Sequence, residues 1–172
     1  MVSSLFVSDK RSSEMPLTEA ILPNPITVAP ETPLMAAIAL MSQVQFSACD
    51  LSADTGVNHV SSESCVLVMA QDQVIGICTE RDLVRLAALG QSPRELTVAD
   101  IMISPVVTWV IDQLTDVLPT LQFMQARHIR HLPILDQQGQ LLGVVTPQSL
   151  RQLLKLMDLL RLRQVDEVMQ TQ

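Results

Sequence analysis

Residues 74–82 read VIGICTERD and residues 141–149 read LLGVVTPQS. Each is an apolar run that carries a glycine and then a threonine, Gly76 with Thr79 and Gly143 with Thr146, at a common offset of 67. An internal repeat decides architecture before any single motif does. TEAILPNPITV at 18–28 matches VADIMISPVVT at 98–108, with Pro25 on Pro105 at an offset of 80. The difference, 80 − 67 = 13, is a net insertion in the first copy. It is placed in 43–64, a polar stretch without periodicity, opposite which the second copy has only QARHIRH. A third start, VDEVM at 165–169, puts Met169 again 67 residues after Met102. The expectation is a piece of a longer protein, with 164–172 opening a further repeat or a linker. The alternative is a short amphipathic tail that resembles VADIM by chance.

Both copies share one order of elements. Pro25–Val28 and Pro105–Thr108 are short β-branched runs and read as extended segments. A helix follows in each. The first is started by Thr32 with Pro33 at the first helical position, the second by Thr115 or Asp116 with Pro119 in the first turn. Leu34, Ala37, Ile38 and Met41, and Val117, Leu118, Leu121 and Met124, have helical spacing. Two strands joined by a tight turn come next: 65–69 with 74–79, and 132–135 with 141–146. Their turns, AQDQ and DQQGQ, carry the Asp and Gly that hairpins favour. Each copy closes with a helix, 80–89 ended by Gly90, and 147 to about 163. Each repeat is therefore β-α-β-β-α, and the fold class is α+β, with helices covering one face of a small sheet. The expected organisation is a loose polar leader at 1–15, repeat one at 16–90 and repeat two at 91–163. One copy of roughly 60 residues has a marginal core, whereas two packed together do not.

Composition narrows the function. The chain has 172 residues, 48% apolar and 17% charged, with four aromatics, so the core is aliphatic. Eighteen acids against eleven bases give a net charge of −7. A basic face and stacking aromatics are what nucleic-acid binders need, and neither is available here. No apolar run is long enough to span a bilayer, and 1–16 lacks the basic end and apolar stretch of a signal peptide. Three cysteines (Cys49, Cys65 and Cys78) without a C-x-x-C spacing exclude a disulfide framework and point to reduced thiols in the cytoplasm. No Walker A, G-x-S-x-G, H-E-x-x-H or G-x-G-x-x-G occurs, so the chain is not expected to be an enzyme. The two histidines at 128 and 131 have no acid or cysteine beside them to complete a metal site.

The strings IRHLPILD at 129–136, GQLLGVVT at 139–146, VIGICTERDL at 74–83 and VADIM at 98–102 followed by Pro105 carry a resemblance. Over roughly 16–163 the chain resembles a tandem pair of CBS domains, often called a Bateman module. The resemblance implies two repeats packed through their sheets with pseudo-two-fold symmetry. It implies a regulatory module rather than an enzyme, with clefts that take adenosine-containing ligands: AMP, ADP, ATP or S-adenosylmethionine. It further implies association of two pairs into a disc, hence a homodimer, and no resident cofactor. The family's nucleotide motif is Gly, hydrophobic, any, Thr/Ser, any, any, Asp, with the hydroxyl on phosphate or ribose and the Asp on the ribose hydroxyls.

The first copy fits this motif through Gly76, Thr79 and Asp82. Gly76 permits close backbone approach, and Thr79 stands where a helix start offers N–H groups to an anion. Asp82 is acceptor-only when ionised and can take two hydroxyls. The same residues read equally as an N-cap and a first-turn acid. The second copy keeps Thr146 but has Ser149 in place of the Asp, which weakens it as a ribose clamp. Arg130 and His131, just before Leu-Pro, occupy positions where the family often carries phosphate-binding His and Arg. The alternatives are a helix C-terminus, where cations suit the dipole, or a solvent-exposed sheet edge. Opposite them the first copy has Glu63-Ser64, so one cleft has the Asp and the other the cations.

Two functions follow as expectations. One is a sensor that binds an adenine nucleotide and relays it to an output domain outside the chain. The other is a structural dimerisation module with degenerate clefts. The final helix, with Leu150, Leu153, Leu154, Met157, Leu160 and Leu162 apolar and Arg151, Lys155, Arg161 and Arg163 basic, reads as a core helix, or else as an output helix or dimer surface.

Overall fold

A computed structural model describes residues 16–47 and 64–170, with the side chains of 43–47 and 161–170 excluded. The leader at 1–15 and most of the expected insertion lie outside the described residues. The first repeat comprises β1 (Thr27–Val28), α1 (Leu34–Ser47), β2 (Cys65–Ala70), β3 (Gln73–Thr79) and α2 (Glu80–Ala88). The second comprises β4 (Trp109–Val110), α3 (Val117–Ala126), β5 (Leu132–Leu135), β6 (Leu141–Val145) and α4 (Pro147–Gln170). The order β-α-β-β-α is as expected in both. Each repeat forms a three-stranded sheet in which the short first strand pairs parallel with the second, and the second pairs antiparallel with the third.

Period-two alternation explains why the central strand is buried on both sides. Val66 and Val68 join Leu34, Ala37, Met41, Cys78 and Leu86 in a core beneath α1 and α2. Cys65 and Leu67 point the other way, into a seam with Ile77 and with Val144 of the other repeat. Leu132, Ile134 and Val145 form the matching core with Val117, Met124, Leu150 and Leu153 beneath α3 and α4. The two sheets thus meet face to face, with helices outside. Burial raises the Cys65 and Cys78 thiols to about 12, so both are neutral and unreactive, and neither forms a disulfide. Cys49 lies outside the described residues.

The sequence pattern did not reveal that the repeats exchange their leading segments. Leu22 and Val144 exchange N–H to O bonds of 2.9 and 3.0 Å, so the segment before β1 extends the second repeat. Ile103 and Ile77 do the same at 2.8 and 3.1 Å, so the segment before β4 extends the first. Ala20 accordingly sits in the second repeat's core, and Val98 in the first's. β4 begins later than expected. Pro105–Thr108 was the expected extended run, yet pairing begins at Trp109. The residues just upstream are already committed to the first repeat through Ile103 and through the Ser104 hydroxyl, which donates to Ile75 O at 2.9 Å. The exchange replaces the expected Thr32 cap: α1 begins at Leu34, whose N–H donates to Leu96 O at 2.8 Å.

Other helix ends follow their local chemistry. Asp116 caps α3 by accepting from Leu118 N at 3.3 Å. Gly90, at φ +70°, closes α2, with Gln91 N donating to Leu86 O. His128 plays Gly90's part at the end of α3, at φ +56°, with Ile129 N donating to Met124 O. The helix α4 runs on to Gln170, past the expected end near 163, and takes in the VDEVM stretch.

Candidate functional site

The strand-to-helix junction of the first repeat brings Ile77, Thr79, Glu80, Arg81 and Asp82 to one wall of a cleft of about 150 Å³. The loop from α3 to β5 supplies the other wall, His128 to His131. Ser64 and Ile103 complete it. Of the six residues singled out from the sequence, Thr79, Asp82, Arg130 and His131 meet here. Gly76 and Thr146 do not line this cleft.

Asp82 is only 9% exposed. Its Oδ2 accepts from Thr79 N at 2.9 Å and from Thr79 Oγ1 at 2.7 Å. Both bonds fall on the same oxygen, which leaves Oδ1 for a ligand hydroxyl. A cap and a ribose contact would therefore fall on different oxygens. The bond pattern alone is no mark of a ligand site: Thr97 N and Oγ1 make the same pair of bonds to Asp100 Oδ2, at 2.7 and 2.8 Å, on the exposed surface. Those bonds lower the Asp100 pKa below the usual carboxylate value. What separates Asp82 from Asp100 is the cleft around it.

Gly76 has a different neighbour from the one its motif suggests. A side chain at this position would meet Met102 Sδ and the Ile103 carbonyl, so the glycine admits the exchanged segment. Gly143 does the same for Leu22, whose carbonyl oxygen stands against it. In the second copy the motif is closed upon itself. Ser149 Oγ donates to Thr146 O at 3.0 Å and accepts from Thr146 N at 3.1 Å, and Ser149 N donates to Thr146 Oγ1 at 3.0 Å. Both residues are buried, at 6% and 4% exposure, so this copy offers a ligand no accessible carboxylate or hydroxyl pair.

Across from Asp82, Ser64 Oγ and His131 Nε2 are 2.8 Å apart. Each residue directly precedes its repeat's central strand. The sequence match set Arg130-His131 against Glu63-Ser64, but the strand register sets it against Ser64-Cys65. Val66 pairs with Cys78 while Leu132 pairs with Val145, because the DQQGQ turn is one residue longer. Burial, helped by the neighbouring Arg130 charge, pulls His131 down to about 4. His131 is therefore a neutral imidazole near pH 7, and the exposed Arg130 carries the charge on this wall. Arg127 is turned elsewhere, with its guanidinium 5.6 Å from the centre of the Phe123 ring.

The depressed His131 pKa makes stability depend on pH with a defined sign. Unfolded histidine protonates near 6.5, whereas the folded state resists protonation until about 4. Stability is thus intact above 6.5 and falls as pH drops towards 4, by about 3 kcal/mol in total from this group. Denaturant unfolding at pH 7 and pH 4.5 should show less acid sensitivity in His131→Gln than in the wild type. Equal acid sensitivity would remove His131 from the account.

Sequence reasoning missed Arg81, His128 and Ile129 as cleft residues, although they adjoin Asp82 and Arg130 in the chain. Ile103 left no local signal, since only the segment exchange brings it to the cleft. Among the described residues, no group of three or more His, Cys, Asp or Glu is placed to hold a metal ion. Among them also, no helix is long and apolar enough to cross a membrane.

Comparison with known proteins places this arrangement. The family model described as "CBS domain" matches at 17–89 and again at 98–156. An uncharacterized protein of Methanopyrus kandleri is 41% identical over 90 residues, which is 52% of this chain and 45% of that protein. The chain spans about half the length of the curated relatives it matches first. Among solved structures, a protein with CBS domains from Burkholderia ambifaria is 26% identical, with a TM-score of 0.58, covering 74% of this chain and 80% of that one. The cytosolic domain of the Mg2+ channel MgtE, in complex with ATP, shares the fold at 22% identity and a TM-score of 0.55, covering 77% of this chain and 46% of that one. The chain belongs to the CBS-domain family, as a tandem pair of its repeats.

Proposed function

We propose that this chain is the ligand-sensing part of a regulatory protein, that it binds one adenosine-containing ligand in the Asp82 cleft, and that it has no catalytic activity of its own. The observation that carries this reading is that Asp82, bonded to Thr79 through Oδ2, and Arg130 line one cleft from different repeats. Ile77, Ile103 and Ile129 supply apolar surface for a base, and a few convergent polar groups fix orientation, as in small-molecule sites generally. The bound ATP of the MgtE cytosolic domain supports the same ligand class. A ligand that prefers one arrangement of the repeats shifts whatever is attached to them.

A second role is association of two copies through the outer helices, which expose Val84 on α2, Leu118 on α3 and Leu159 on α4 at 50–69%. In this reading the module is a homodimer whether or not a ligand is present.

Thermal unfolding against AMP, ADP, ATP and S-adenosylmethionine tests the sensor role. A ligand at about 100 times its dissociation constant adds roughly 2.7 kcal/mol, or roughly 5–10 °C for a chain of this size. A flat response across the panel would leave only the association role.

A further inference from the structure

The cleft does not end at Arg130. A larger cavity, of about 470 Å³, lies beside it between α3 and the start of α4. Arg81, His128, Ile129 and Arg130 line both cavities, so the two share a wall. The second is reached by one further cation, Arg151, on the second turn of α4. Three of the eleven basic residues of an acidic chain therefore meet around one groove, and no carboxylate lines it. The nucleoside end of the neighbouring cleft, by contrast, holds Glu80 and Asp82.

We infer that this arginine groove receives the terminal phosphates of the ligand, which makes the ligand a nucleoside di- or triphosphate rather than a monophosphate. The inference rests on the reading that the ribose sits at Asp82. The Asp82 and Glu80 side chains disfavour phosphate at that end, and Arg81 and Arg130 on the shared wall attract it. A monophosphate ends there. A second and third phosphate carry the chain of charge past that wall to Arg151, whose planar fork of donors suits phosphate oxygens.

Calorimetric titration of the wild-type chain and Arg151→Ala with AMP, ADP and ATP, without magnesium, tests this directly. Arg151 is exposed, so its substitution leaves the fold intact. The wild type should bind ATP at least tenfold more tightly than AMP, with ADP between them. Arg151→Ala should weaken ATP about tenfold and leave AMP within twofold. Equal wild-type affinities for AMP and ATP, or an equal effect of Arg151→Ala on all three, would overturn the inference while the adenosine reading stands. Failure of all three to bind would remove both.

Discussion

Asp82→Ala should abolish adenosine-ligand binding while lowering the melting temperature by only a few degrees. The carboxylate has two separable tasks. Through Oδ2 it ties down the start of α2, and loss of such a cap costs about 1 kcal/mol, or roughly 2–4 °C here. Through Oδ1 it would accept ribose hydroxyls, and hydrogen bonds to a charged group contribute about 1.5–3 kcal/mol each. Losing two of them weakens binding by a factor of about a hundred or more. Asp100→Ala is the matched control, since it removes the same pair of bonds to a threonine on the exposed surface, away from the Asp82 cleft. It should show the cap cost alone and bind ligand as the wild type does. A common loss of binding in both variants would mean that Asp82 acts through the fold and not on the ligand.

Gly143→Ala is expected to be the most destabilising small substitution at either repeat's glycine. The added methyl would run into the Leu22 carbonyl oxygen, a backbone atom held in place by the paired bonds between Leu22 and Val144. Overpacking against fixed backbone costs about 3 kcal/mol, or roughly 6–12 °C. Gly76→Ala should cost about half as much, because the nearest atoms belong to the flexible Met102 side chain. Denaturant melts of the two variants give the order. If Gly76→Ala proved the worse, the segment exchange would not be what these glycines serve.

The repeat, the order of elements and the hairpin turns were legible because they rest on local signals. Gly76 and Gly143, Thr79 and Thr146, and the polar turns each mark a position through backbone conformation or a helix start. The exchange of leading segments was not legible. Leu22 and Ile103 carry no mark of which sheet they extend, and chain proximity assigns each to its own repeat. The error at Thr32 follows from that one tertiary feature, since the start of α1 meets Leu96 on the exchanged segment. The site was legible in part. Thr79, Asp82, Arg130 and His131 came from motif chemistry, but the sequence set the Asp and the cations in different clefts, whereas they line one. The self-closed state of Thr146 and Ser149 and the neutrality of His131 depend on burial, which a single sequence does not specify.

The two repeats are alike in fold and unlike in chemistry: Asp82 lines a cleft, whereas Ser149, in the matching place, is bonded to Thr146; one ligand per chain is the expected consequence. The binding stoichiometry tests this claim most directly. Titration calorimetry with the tightest of AMP, ADP and ATP should give one ligand per chain, with no heat of binding in Asp82→Ala. Two ligands per chain, or one ligand that survives Asp82→Ala, would contradict the account.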